Sequence, residues 1–251
     1  SGNLLWAKEI LAQNNNNAVL SVNDLVIDQN ENIYITGSYG NIVDFDPGVG
    51  TYTLSSGMNL NFDNIIPFTV KYDAQCNFVW VKDLKRPSVY GVGTRVALDA
   101  NNNIYIGASF GNRTFFYKYN NLGNRLWLDS LKGGINSDNY LHSMHVNNTG
   151  ELVIGGFFSS DIDMDPGANT FSLSATQACY LGKYNTNGNF MWATKLNSPA
   201  NQDQLNDITA DASGNIYTCG PALNANTYMN RICKWNSNGN LQWIKYFDAG
   251  L

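Results

Sequence analysis

The chain has 251 residues, a net charge of −5, 14% charged residues and 43% apolar ones. That balance excludes a sequence-independent nucleic-acid surface, which needs clustered Lys and Arg. No apolar stretch approaches the roughly 20 residues of a membrane-spanning helix, so membrane insertion is not expected either.

Polarity is carried by abundant Asn beside 23 Gly, both turn residues because they tolerate positive φ. The first element is a strand-like block, Leu4-Leu5-Trp6-Ala7-Lys8. It recurs later in the chain, so the sequence reads as a mature or trimmed product. An apolar strand, Leu25-Val26-Ile27, then leads through a turn at Asp28 to Asn32-Ile33-Tyr34-Ile35 and Gly37. After a long connection, Lys71-Tyr72-Asp73 turns into Asn77-Phe78-Val79-Trp80.

The same order returns three times. Asp99 leads to Asn103-Ile104-Tyr105-Ile106 and Gly107, then Lys118-Tyr119-Asn120 to Trp127. A weaker copy runs from Asn147 to Glu151-Leu152-Val153-Ile154, Gly155 and Gly156, then Lys183-Tyr184-Asn185 to Trp192. The last goes from Asp211 to Asn215-Ile216-Tyr217-Thr218 and Gly220, then Lys234-Trp235-Asn236 to Trp243. Each unit reads as four short antiparallel strands. Units are expected at about residues 22–84, 94–131, 141–196 and 205–247, with residues 4–10 as an extra Trp strand. Four-stranded units at this period predict an all-β chain, a β-propeller forming a single domain over residues 1–251. Trp80, Trp127, Trp192 and Trp243 are then packing groups between sheets, since recurrent large apolar residues are usually buried. The extra strand pads an edge, belongs to a longer array, or pairs with another subunit.

The pattern Asp-x-x-x-Asn-Ile-Tyr-Ile-x-Gly, an Asp-Pro-Gly insertion, then Lys-Tyr-Asp-x-x-Gly-Asn-x-x-Trp resembles the bacterial β-propeller repeat called SBBP. Val43-Asp44-Phe45-Asp46-Pro47-Gly48 and Ile162-Asp163-Met164-Asp165-Pro166-Gly167 carry the likeness most clearly. The strand blocks are also similar to NHL-type repeats. The resemblance implies a secreted or cell-surface protein, as in Bacteroidetes-type bacteria, often inside a larger protein with adhesion or sorting modules. The resemblance does not by itself imply a catalytic activity. Cys76 departs from the family's turn Gly, and units two and four lack the insertion.

Asp44 and Asp46, and likewise Asp161, Asp163 and Asp165, alternate along the chain, so their carboxylates can converge on one side. They are candidate calcium ligands; the competing reading is that Asp-Pro-Gly simply makes a turn. Asp24, Arg95, Ser143 and Asp207 occupy matching first-strand positions. They are expected either to line a central channel or to fill space polarly where sheets converge. His142 and His145, on a strand, are expected to face opposite sides rather than share a metal. The four cysteines show no CxxC spacing. Cys219 and Cys233 fall on neighbouring strands, as a disulfide or as buried thiols. The leading expectation is a non-enzymatic binding or adhesion module for a glycan or a surface protein. The alternatives are an assembly module that self-associates or sits in a multidomain parent, and a glycosidase or lyase using channel carboxylates.

Overall fold

The computed structural model describes residues 2–12, 19–57, 65–86, 91–111, 113–133, 138–196, 204–224 and 227–247. Among these the chain is all-β, with four four-stranded antiparallel sheets. No helix among them is long and apolar enough to cross a membrane. The chain divides into two compact units, Ser1–Val96 and Ala97–Leu251.

In the first unit, sheet one joins Val19–Ile27, Ile33–Gly40, Ile66–Tyr72 and Phe78–Asp83 in that order. Sheet two joins Gly91–Leu98, within which the division between the units falls, to Ile104–Phe110, Arg113–Tyr119 and Arg125–Ser130. Sheet three is Asn139–Val146, Leu152–Phe158, Ala178–Tyr184 and Phe190–Leu196; sheet four is Asp207–Ala210, Ile216–Asn224, Thr227–Trp235 and Leu241–Phe247. The sheets coincide with the four units read from the repeat.

Eight turns share one geometry. Asp28, Asp73, Asp99, Asn120, Asn147, Asn185, Asp211 and Asn236 each accept, on Oδ1, the backbone N–H groups two and four residues on. This is the local bonding for which Asp and Asn are favoured in turns. The residue three further on has positive φ in every case: Glu31, Cys76, Asn102, Gly123, Gly150, Gly188, Gly214 and Gly239. The left-handed region costs an L side chain roughly 1–2 kcal/mol. Glu31→Gly, at an exposed position, is therefore expected to stabilise the chain by about 1 kcal/mol, read as a higher urea midpoint. At Cys76 the same relief is offset by the loss of a side chain buried in the core of sheet one.

Within the second unit, sheets pack face to face. Tyr105, Phe116 and Trp127 of sheet two join Met144, Leu152, Ile154 and Tyr184 of sheet three in one apolar cluster. Val153, Cys179 and Leu181 of sheet three join Ile208, Ile216 and Cys233 of sheet four in another. Trp127 and Trp192 work here as packing groups with a polar handle, whereas Trp243, expected to pack likewise, is exposed on the last sheet, which has no following sheet to cover it among the described residues. Trp127 Nε1 donates to the carbonyl of Thr186 at 3.1 Å, and Trp192 Nε1 to that of Ser237 at 3.1 Å. Each thereby seals the next sheet's turn.

Two expectations need correcting. Residues 4–8 form no strand; pairing begins at Leu11–Ala12. Every other Trp strand lies beside a Lys-aromatic strand just upstream, and residues 4–8 have no such neighbour among the described residues. Nor does a disulfide join Cys219 and Cys233. Cys219 stands opposite Ile232 and Cys233 opposite Thr218, one register step apart, with Cys233 buried and Cys219 exposed. Adjacent strand positions point to opposite faces, so the sulfurs cannot meet.

Candidate functional site

In each sheet, antiparallel order places the two uniform turns at one end and the remaining connections at the other. At that second end the links between second and third strands differ. Phe110 pairs directly with Arg113, and Asn224 with Thr227, as tight hairpins. From Gly40 to Ile66 and from Phe158 to Ala178 the chain instead builds an Asp-Pro-Gly hairpin.

Each insertion forms a small three-stranded sheet. Ile42–Asp44 lies between Leu11–Ala12 and Thr53–Ser55. Ile162–Asp163 lies between Lys132–Gly133 and Ser172–Leu173. Leu11 follows Trp6 at the same interval as Lys132 follows Trp127, so the N-terminal segment meets its hairpin as the tail of a Trp strand does. A buried tyrosine pins each insertion to its sheet: Tyr72 Oη donates to the carbonyl of Phe45, and Tyr184 Oη to that of Met164, both at 2.9 Å.

The carboxylates proposed for calcium have backbone partners. Asp44 Oδ1 accepts the N–H groups of Asp46 (3.1 Å) and Tyr52 (2.8 Å), and Asp46 Oδ1 accepts that of Gly48. Asp163 Oδ1 accepts Asp165 N (3.1 Å) and Phe171 N (2.9 Å), and Asp165 Oδ1 accepts Gly167 N. Lys132 lies 3.9 Å from Asp163, and Asp161 is exposed. Among the described residues, no three His, Cys, Asp or Glu side chains are grouped to hold a metal. The turn role makes Asp163→Asn nearly neutral and Asp163→Ala costly by about 1–2 kcal/mol, with the same thermal midpoint in calcium and in EDTA. A midpoint that falls in EDTA, and no longer does so in Asp163→Asn, would identify a calcium site instead.

The first-strand positions hold backbone as well. Asp24 Oδ2 accepts the N–H of Val96 at 3.0 Å, so the first strand of sheet one is tied to that of the next repeat. Ser143 Oγ repeats the tie by accepting Ile208 N at 3.0 Å while donating to Asp207 Oδ1 at 2.9 Å. Arg95 donates to the carbonyl of Thr94. The structure thus brings Ser143 and Asp207 together and places Asp24 and Arg95 in the first unit. His142 is the extra residue of a bulge between Leu141 and Ser143, and His145 is half-buried. Burial lowers the His145 pKa below the usual imidazole value, against the charge of Asp207, so the ring is neutral at pH 7.

Sequence reasoning missed the repeated lysine. Lys118 is buried, with Nζ 3.5 Å from Asp99 Oδ2, 2.9 Å from Thr186 Oγ1 and 4.7 Å from the Tyr105 ring. Lys183 pairs with Glu151 at 2.9 Å. Lys71 and Lys234 lie over Tyr34 and Tyr217. The signal was present as a fixed Lys in every third strand. Burial works to raise the Asp99 pKa, but bonds from Asn103 and Asn101 and the charge of Lys118 outweigh it and lower it.

The sequence matches no protein-family model and no curated protein. Function therefore rests on the geometry.

Proposed function

We propose that this chain is a non-enzymatic binding module of propeller type, secreted or displayed at a cell surface, that engages a glycan or surface protein through the variable loop ends of its sheets. One observation carries the reading: the turn end repeats the same geometry eight times, while connection length and architecture vary only at the opposite end. A rigid scaffold that varies its loops on one side is the usual arrangement of a binding face. The SBBP-like repeat pattern and its Asp-Pro-Gly insertions support secretion and a propeller arrangement of the sheets. The test is binding of the purified chain to arrayed glycans and surface proteins, before and after both hairpins (residues 41–65 and 159–177) are replaced by the tight turn of repeat four. Loss of binding in the shortened chain is expected. Retained binding, or turnover of a glycan substrate, would sink the proposal.

A second reading, assembly through exposed sheet faces, has its own support. Six and three residues before their turn, Leu141 and Met144 are 2% and 8% exposed, whereas Val22 and Leu25 are 51% and 56% exposed. Leu4 and Leu5 are exposed as well. Light scattering tests it: self-association that disappears when residues 1–10 are removed would favour assembly, and a monomer of undiminished stability would count against it.

A further inference from the structure

The third repeat departs from the other three at four positions that come together in space. Val153 stands where the others carry Tyr34, Tyr105 and Tyr217. Asn147 replaces the turn Asp28, Asp99 and Asp211, and Glu151 replaces Asn32, Asn103 and Asn215. His145 replaces Val26, Ala97 and Thr209. Between sheets three and four, Val153, His145 and Asn147 line a cleft of ≈ 410 Å³ with Lys183, Asp211 and Gly214.

Sheets two and three show what this space ordinarily holds. There the Tyr105 side chain is buried, its ring lies beneath Lys118 Nζ, and its hydroxyl donates to the carbonyl of Gly150 at 2.8 Å. A Cβ on Gly150 would come within 2.8 Å of that hydroxyl. Gly214 is the counterpart of Gly150 on the next sheet, with the same positive φ. A Cβ on Gly214 would meet nothing nearer than Ser237 Cβ at 3.5 Å. Truncating Tyr to Val has removed a ring and a hydroxyl from the interface and left their surroundings standing.

Those surroundings stay organised without the ring. Lys183 Nζ is held at 2.9 Å by Glu151, which also accepts from Asn147 Nδ2 at 2.7 Å. The carboxylate that balances this lysine has moved from the turn's first residue to its fifth. Neutral His145 adds a group at the rim able both to donate and to accept.

We propose that the cleft is a ligand site for a small phenolic molecule, a hydroxylated aromatic ring that takes the place of the missing tyrosine side chain. The ring lies under Lys183, in the cation–aromatic relation that Lys118 has with Tyr105, and over the apolar floor of Val153, Ala210 and Ile216. The hydroxyl donates to the Gly214 carbonyl. The cleft falls in the size range of small-molecule sites, and half of its lining residues are polar, so it suits a ligand that carries a hydroxyl as well as an apolar face. This site lies at the turn end and does not depend on the loop-end reading above.

The experiment is titration of the whole chain with p-cresol, followed by the imidazole NMR signals of His145 and by thermal shift. Toluene and methyl β-glucoside serve as comparison probes. Saturable p-cresol binding that perturbs His145 is expected, at least tenfold tighter than toluene, because only the phenol satisfies the Gly214 carbonyl. Val153→Tyr is expected to fill the cleft, raise the melting temperature and weaken p-cresol binding at least tenfold. Should that variant fold poorly, Val153→Phe fills the ring position alone and must weaken binding likewise. Absence of saturable binding at His145, equal affinity for toluene, preference for the glucoside, or undiminished binding in a folded Val153→Tyr or Val153→Phe variant would each overturn the assignment.

Discussion

Lys118→Ala is expected to destabilise the chain by about 3–5 kcal/mol, the range seen when one partner of a buried ion pair is removed. The ammonium and the Asp99 carboxylate are both nearly inaccessible, so water cannot replace the lost charge. Thr186 loses donors to its carbonyl and hydroxyl at the same time, and Tyr105 loses the cation above its ring. Equilibrium urea unfolding at pH 7 measures the loss. The matching comparison is Lys234→Ala. That lysine holds the same place in sheet four and also sits over a tyrosine, but it is only half-buried, and charges that water can reach are screened and interact weakly. A much smaller effect is expected there. Equal losses at the two positions would mean that burial is not what gives the repeated lysine its weight.

Gly156→Ala is the second large effect, expected to cost about 3 kcal/mol through overpacking against backbone. In sheets one and three the first strand carries a bulge, between Val22 and Asp24 and between Leu141 and Ser143. The bulge drives a carbonyl onto the second strand where a glycine stands. An added Cβ on Gly156 would collide with the Tyr140 carbonyl, and one on Gly37 with that of Ser21. Backbone cannot swing aside as a side chain can, so Gly37→Ala should behave like Gly156→Ala. Gly48→Ala, whose Cβ would meet only the Asp46 carboxylate at 3.0 Å, should cost far less. Thermal unfolding of the three variants side by side separates the cases.

These two positions also show what was legible in the residues. Strand boundaries, turns and the recurring glycines follow from local chemistry: alternating apolar runs, Asx residues at turn starts and Gly where φ is positive. Such signals need only a few neighbours in the chain. The role of Lys118 depends on Thr186, and that of Asp24 on Val96, each pair roughly 70 residues apart in sequence. No local pattern announces such pairings. From sequence the Asp-Pro-Gly loops fit either turns or calcium ligands, because alternation alone does not say whether a carboxylate faces an ion or its own backbone. Local pattern puts Cys219 and Cys233 on neighbouring strands, and a single register step keeps their sulfurs on opposite faces. The weak third copy was visible as Leu-Val in place of Ile-Tyr, yet its consequence, a cleft beside Gly214, exists only once sheets three and four lie together.

The uniform turns bear on how such a chain can change over generations. Because all eight share one backbone geometry, a recombination break within any two equivalent turns rejoins the chain without strain at the seam. Copy number can then drift by whole repeats, while each Asp-Pro-Gly hairpin is gained or lost as a cassette at the far end. The unequal spacing of the repeats, with insertions in the first and third alone, is the record such exchange would leave.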